Sequence, residues 1–242
     1  MEKKIADAVK QEIASEVAEM IAAGKKRPHL AAILVGHDGG SETYVAHKVK
    51  ACEQCGFEST LIRYEADVTE AELLEAIARL TPTTMWTDSL CNCRCRNTST
   101  SRKSLKPSTI ARTWTDSSDK CGTAVDWTAC FLSATPQGIL ELLRRYNVPT
   151  KGANCVVLGR SNIVGKPVAS LMMQKAVPGD ATVTVCHSRT HDIKSFTLNA
   201  DIIIAALGQP GFLTADMVKD GVTVIDVGTT RVLRQKLKAV SA

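Results

Sequence analysis

The chain has 242 residues, 30 Lys/Arg against 25 Asp/Glu, a formal charge of +5 and 44% hydrophobic residues, with a mean hydropathy of −0.03. This length allows one large or two modest domains, and the apolar fraction suffices for a buried core, which excludes a disordered, collagen-like or coiled-coil chain. No run approaches the roughly 20 apolar residues of a membrane span. Met1-Glu2-Lys3-Lys4-Ile5 lacks a secretory apolar stretch, and nine Cys do not make a disulfide scaffold in a chain this long, so a cytoplasmic protein without membrane contact is expected. Aromatic content of 4%, with no basic stripe interleaved with aromatics, argues against nucleic acid as a partner.

The first elements are clear. Glu2 to Ala23 reads as an amphipathic helix ended by Gly24, and Leu30 to Val35 as a buried strand. Ser41 then has the chemistry of a helix cap, with Tyr44 at the third position of a helix running to Gly56. Phe57 to Tyr64 reads as a strand and Thr69 to Leu80 as a helix. Later, Thr135-Pro136 opens a helix to Tyr146, with Pro in the first turn where its missing N–H costs nothing. Strands are expected at Cys155–Leu158, Thr182–Cys186, Ile202–Ala206 and Val222–Val227. Strands alternating with helices predict βαβ units and parallel sheets, that is an α/β protein in two blocks.

Between the blocks, Thr81 to Ala129 differs in kind. Eighteen of its 49 residues are Thr or Ser, it holds all three Trp and four of the nine Cys, and it has no Glu and one Gly. Seven Lys/Arg against four Asp/Glu put +3 of the +5 charge here, so the basicity is mostly local. No hydrophobic period runs across it, and the expectation is a long irregular insert, which is anomalous within a compact domain.

Gly159-Arg-Ser-Asn-Ile-Val-Gly165-Lys-Pro167 falls between a predicted strand and a predicted helix, where backbone N–H groups and the helix dipole can hold a phosphate. A generic strand-to-helix turn has the same position. Arg160 beside the loop and Ser188-Arg189 after the next strand favour the binding reading. A hydroxyl and a guanidinium at that second strand end suit a 2′-phosphate better than a carboxylate would, which favours NADP over NAD.

Tyr44 and Lys48 share a helix face at i, i+4. Many solvated faces have such a pair; here it offers an aromatic platform beside an amine able to move a proton. In short-chain dehydrogenases a Tyr-x-x-x-Lys lies after the cofactor loop, whereas this one precedes it by more than a hundred residues, so that family does not fit. Cys52-x-x-Cys55 and Cys91-x-Cys93-x-Cys95 lack the spacing and nearby His of a zinc site, and no metal is expected. His29, His37, His47, His187 and His191 form no recognisable triad with a nucleophile.

Val35-Gly36 with Ser41-Glu-Thr-Tyr44-Val-Ala-His-Lys48, then Ala134-Thr135-Pro136-Gln-Gly138, Gly159-Arg-Ser-x-x-Val-Gly-x-Pro167, His187-Ser188-Arg-Thr190 and Asp226-Val-Gly228 resemble, in order and spacing, the bifunctional methylenetetrahydrofolate dehydrogenase/methenyltetrahydrofolate cyclohydrolase family. The resemblance spans about residues 1–80 and 130–231. It implies an N-terminal folate-binding α/β domain, residues 1–132, and a C-terminal NADP-binding Rossmann domain, residues 133–242, facing across a cleft and usually dimeric. It further implies hydride transfer from a methylene-bridged tetrahydrofolate to NADP, then hydration of the methenyl product. Lys48 would be the central catalytic group and Tyr44 the stacking partner of the folate. Arg160, Ser161, Ser188 and Arg189 would hold the NADP phosphates, Ile163 and Val164 would flank the cofactor, and Gly159, Gly165 and Pro167 would complete its binding site. An unrelated NADP oxidoreductase, or a remnant that binds NADP without turnover, are the competing readings.

The family's Gln-Leu-Pro-Leu-Pro, Asp-Val-Asp-Gly and Asn-Val-Gly motifs are missing where composition breaks. Met85-Trp86-Thr87 must be ATG TGG ACN, which read one base earlier encodes Val-Asp after Asp, Asn, His or Tyr, and Asp88 can then supply Gly. The same shift lets Asn92-Cys93-Arg94-Cys95-Arg96 encode Gln-Leu-Pro-Leu-Pro, and Thr113-Trp114-Thr115-Asp116 encode Asp-Val-Asp-Gly. A second shift lets Lys120-Cys121-Gly122 encode Asn-Val-Gly and Trp127-Thr128-Ala129 encode Gly-Leu-Pro, and a third restores the frame near Cys130. Residues 81–129 are thus expected to be an out-of-frame translation. The Gln partner of Lys48 and the pterin-binding Asp of the family have no counterpart here. Arg94 and Arg96 would be costly to bury in a parallel sheet, so a compromised N-terminal domain with little activity is expected. After Val232 the chain also lacks the family's Pro-Gly-Gly-Val-Gly-Pro motif, an apparent C-terminal truncation.

Overall fold

A computed structural model describes residues 2–37, 39–80, 88–92 and 132–228. The chain forms two compact units, Met1–Gln137 and Gly138–Ala242.

In the first unit α1 (Glu2–Ala22), β1 (His29–Val35), α2 (Gly39–Gln54), β2 (Glu58–Tyr64), α3 (Glu70–Leu80) and β3 (Asp88–Asn92) follow in order. The sheet is parallel with order β2-β1-β3. Its central strand, β1, is apolar on both faces because both are covered. Ala31, Ile33 and Val35 pack with Val68, Leu73 and Ala76 of the α3 side. Ala32 and Leu34 pack with Val45 of α2 on the other. Thr69 caps α3: Thr69 Oγ1 accepts from the Glu72 N–H at 3.3 Å, and Glu72 Oε2 accepts from the Thr69 N–H at 2.9 Å, a reciprocal capping box. Gly24, at φ +71, closes α1 with bonds from its own N–H to Ile21 O and from Lys25 N–H to Met20 O.

Two expectations need correction. Helix α2 starts at Gly39, so Ser41 is its third residue, not its cap, and Tyr44 is its sixth. The Gly39-Gly40 pair carries the entry, and Thr43 Oγ1 donates back to Gly39 O at 2.7 Å. The insert is also not irregular throughout. Asp88–Asn92 forms β3, in register with Leu30–Leu34 of β1. A central parallel strand needs hydrogen-bond partners along both edges, and the ladder is made by backbone groups that any non-proline sequence carries. The remaining residues of the insert, with Arg94 and Arg96, lie outside the described residues, as do residues 229–242.

The second unit contains α4 (Ala134–Arg145, whose first residues precede the division), β4 (Asn154–Leu158), α5 (Gly165–Met173), β5 (Thr182–Cys186), α6 (Ile193–Thr197), β6 (Ile202–Ala205), a short 3-10 turn (Ala215–Met217) and β7 (Thr223–Asp226). The parallel sheet has order β5-β4-β6-β7. Alternate side chains serve two cores. Cys155, Val157, Ile202 and Ile204 meet Ile139, Leu143, Val168 and Met172 on one face, and Val156, Leu158, Cys186 and Ile203 pack with Ile193, Leu213 and Val218 on the other. This is a doubly wound Rossmann-type sheet. Its order reverses at β4, where β5 lies to one side and β6 to the other.

Candidate functional site

In an open parallel sheet the groove for a ligand forms outside the strand carboxyl ends where the strand order reverses. In the second unit that place is the end of β4, where the chain enters the Gly159–Pro167 loop. Gly159 has φ +115, and a Cβ there would stand 2.8 Å from Ala206 O at the end of β6. At Gly165 a Cβ would lie 2.2 Å from Gly159 O and 2.9 Å from Arg160 Cα. Both positions therefore demand glycine, and the loop folds tightly back on its own start.

Ser161 holds this turn. Its Oγ accepts the N–H groups of Val164 at 3.1 Å and Gly165 at 3.3 Å, and its carbonyl accepts Lys166 N–H at 3.0 Å. Its hydroxyl thus acts as acceptor toward the turn and retains only its proton to donate to a ligand. Val164 is the residue before α5 and packs on the core, while Pro167 is buried in the helix's first turn. Arg160, Ser161, Asn162 and Ile163 face solvent, Ile163 at 46% exposure. Among the described residues, the N–H groups of Arg160, Ser161 and Asn162 enter none of the bonds that close the turn. Exposed donors before a helix N-terminus fit a phosphate, by charge and by hydrogen bonding.

The second loop leaves the same sheet edge. Gly159 N–H donates to Cys186 O at 2.8 Å, tying the end of β4 to the end of β5. Beyond Cys186, Ser188 and Arg189 are exposed at the crest of a tight turn. His187 N–H donates to Thr190 Oγ1 at 2.9 Å, Thr190 N–H to His187 O at 2.8 Å and Arg189 N–H to His187 Nδ1 at 3.1 Å. The structure therefore brings the residues expected at 159–167 and those at 188–189 to one edge of one sheet. Sequence reasoning missed two things here: that Ser161 is the turn's own staple, and that His187 braces its neighbours. A Ser three residues before the first helical N–H groups, and a Thr three residues after His187, were the available signals.

In the first unit, Tyr44 and Lys48 stand on one face of α2, which follows the carboxyl end of β1. Lys48 Nζ lies 4.6 Å from the centroid of the Tyr44 ring, a cation–π pair. Tyr44 is 49% exposed, so the ring is open to a stacking ligand. Nearby, His37 meets Glu42 at 3.4 Å through Nδ1 and Glu65 at 3.2 Å through Nε2. The Glu42 hydrogen bond first, and the Glu65 charge second, raise the His37 pKa from its ordinary value.

Among the described residues Cys52, Cys55, Cys155 and Cys186 are buried thiols outside any disulfide, and burial pushes the Cys155 thiol up to about 12. Among the described residues no group of three or more His, Cys, Asp or Glu is placed to hold a metal ion, and none of the described helices is long and apolar enough to cross a membrane.

Residues 1–87 match the tetrahydrofolate dehydrogenase/cyclohydrolase catalytic domain, and residues 133–241 match the NAD(P)-binding domain of the same family. The bifunctional protein FolD of Phocaeicola vulgatus is 58% identical over 231 residues, covering 95% of this chain and 79% of that protein. Among solved structures, a 5,10-methylenetetrahydrofolate dehydrogenase from the silkworm Bombyx mori is 33% identical with a TM-score of 0.88, covering 95% of this chain and 81% of that one. The methylenetetrahydrofolate dehydrogenase-cyclohydrolase of Trypanosoma brucei, solved with NADP and an inhibitor, is 32% identical with a TM-score of 0.81, covering 95% of this chain and 78% of that one. By both its halves, the chain belongs to the tetrahydrofolate dehydrogenase/cyclohydrolase family.

Proposed function

We propose that this chain carries the two reactions of its family, NADP-dependent oxidation of methylenetetrahydrofolate to methenyltetrahydrofolate and hydrolysis of that product to formyltetrahydrofolate. The observation that carries the reading is the double match: a catalytic-domain half with Tyr44 and Lys48, and an NAD(P)-binding half with the 159–165 turn. We take residues 1–132 as the folate domain and 133–242 as the NADP domain.

The residues present fit the dinucleotide. Arg160, Ser161 and Asn162 present exposed N–H donors before α5, the Arg160 guanidinium adds charge, and Ser188 and Arg189 suit a 2′-phosphate. When bound, NADP accepts the hydride. Ile163, exposed on the loop, offers an apolar wall to the cofactor, and Gly159, Gly165 and Pro167 shape the turn that receives it. On the folate side the Tyr44 ring stacks on the substrate and fixes its one-carbon unit. Lys48 Nζ, beside that ring, holds or moves a proton during hydration.

Turnover in this chain is impaired. Residues 81–129 carry neither the Gln-Leu-Pro-Leu-Pro nor the Asp-Val-Asp-Gly motif of the family, so Lys48 loses its expected Gln partner and the pterin its Asp. We attribute the segment to single-base losses in the gene or its sequencing, and resequencing codons 80–131 tests this. An intact Thr/Ser-rich reading in independent isolates contradicts it. The intended form is a cytoplasmic homodimer, which fractionation and sedimentation test. For function, equilibrium titration with NADP and with tetrahydrofolate, followed by an NADPH assay, decides. Binding of both ligands with slow, folate-dependent NADPH formation supports the proposal; binding without any turnover favours the remnant reading and overturns it, as does failure to bind either ligand.

A further inference from the structure

We infer that His187 is a positioning residue that sets the preference of the second unit for a 2′-phosphorylated dinucleotide. The inference rests on the reading that Ser188 and Arg189 hold that phosphate.

The turn after β5 is closed at its base by Thr190, through the bond from His187 N–H at 2.9 Å and the bond to His187 O at 2.8 Å. Its crest is held by the bond from Arg189 N–H to His187 Nδ1, at 3.1 Å. Because Nδ1 accepts, the imidazole proton resides on Nε2. The ring is half-buried, while Ser188 and Arg189 are exposed. A half-buried ring thus fixes the backbone from which an exposed, rotamer-rich guanidinium extends. Without that bond the Arg189 peptide is free to turn, and a phosphate must then order the peptide as well as the side chain. Preorganisation of this kind raises affinity by removing an ordering cost.

The effect falls on one part of the ligand. The 159–165 turn has its own supports, Ser161 Oγ and the packing of Gly159 and Gly165. Loss of the His187 ring leaves that turn intact, so binding of the pyrophosphate, common to NAD and NADP, is preserved. Only the 2′-phosphate contribution falls.

The test measures dissociation constants of NADP, NAD, 2′,5′-ADP and 5′-AMP for the full chain and four variants. His187→Ala is expected to weaken NADP and 2′,5′-ADP by about fivefold, the size of one lost hydrogen bond, and to leave NAD and 5′-AMP within about twofold. His187→Asn, whose amide oxygen stands near the place of Nδ1, is expected to recover the preference. His187→Gln, which instead reaches the place of Nε2, is expected to behave as the Ala variant. Arg189→Ala tests the underlying reading, and if it keeps the NADP preference that reading fails and takes the inference with it. If Arg189→Ala loses the preference while His187→Ala keeps it, the reading stands and the inference is overturned. Equal weakening of NAD and NADP by His187→Ala, or rescue by Gln instead of Asn, also overturns it. Should the Ala variant fail to fold by its thermal melt, the Asn and Gln pair alone decides.

Discussion

Lys48 Nζ stands 4.6 Å from the centre of the Tyr44 ring, so the amine assigned to proton movement and the ring assigned to folate stacking already touch. The two roles separate by mutation. Tyr44→Ala is expected to weaken tetrahydrofolate binding by about fivefold, in line with about 1 kcal/mol for an aromatic contact beyond area burial. Tyr44→Phe keeps the ring and the affinity. Lys48→Met leaves both ligand affinities within about twofold and removes residual turnover. Isothermal titration with tetrahydrofolate and with NADP checks all three, and a loss of NADP affinity in Tyr44→Ala contradicts the division of labour.

Two glycines give a matched pair of stability predictions. At Gly165 an added Cβ lies 2.2 Å from Gly159 O, so Gly165→Ala must displace backbone and is expected to cost about 3 kcal/mol and abolish NADP binding. At Gly138, in the middle of α4, an added Cβ meets nothing within 4 Å. Gly138→Ala is therefore expected to stabilise by about 0.5–1 kcal/mol. Denaturant unfolding followed by circular dichroism reads both signs.

Ser161→Ala removes the acceptor of the Val164 and Gly165 N–H groups. The expected cost is about 1 kcal/mol, as for loss of a helix cap, with a fall in NADP affinity as the loop loosens. Ser161→Asn retains an acceptor in the turn and is expected to keep most of the stability. Equal melting of the Ala variant and the parent chain contradicts the stapling role.

Acid should loosen α4 in a defined window. Arg144 donates to Glu141 through Nε at 2.9 Å and through NH2 at 2.7 Å. That hydrogen bonding, helped by Arg145 and opposed by burial, holds the Glu141 carboxyl down to about 2, against an ordinary 4.5. A depressed carboxyl contributes stability above its unfolded value and loses it as pH falls through the folded one. The contribution is therefore whole above about 4.5 and gone below about 2. Glu141→Gln is expected to lower Tm by about 1–3 °C at neutral pH, the range of an exposed pair, with the difference shrinking across that window. A difference that persists unchanged below pH 2 contradicts the assignment.

How far the sequence foretold these features follows from where each feature's information resides. The β1 run was legible because a strand buried on both faces must be apolar throughout, and Leu30 to Val35 is. The cofactor turn was legible because Gly159 and Gly165 answer to backbone crowding that no other residue tolerates. Helix α2 began two residues before the apparent cap because Gly39-Gly40 gives only a weak start signal next to Ser41. Strand β3 was hidden, since its pairing with β1 is made by peptide groups while the residue order Asp-Ser-Leu-Cys-Asn carries no polar–apolar alternation. The staple of Ser161 and the brace of His187 are side-chain-to-backbone bonds, and composition and period do not encode them.

The measurement that bears most directly on the whole account compares NADPH formation from methylenetetrahydrofolate by this chain and by one expressed from the same gene with the lost bases restored in codons 81–129, NADP affinity being measured alongside. Equal NADP affinity, with turnover at least a hundredfold higher in the restored chain, is the predicted result. Full turnover by the chain as it stands, or no NADP binding by either, contradicts it.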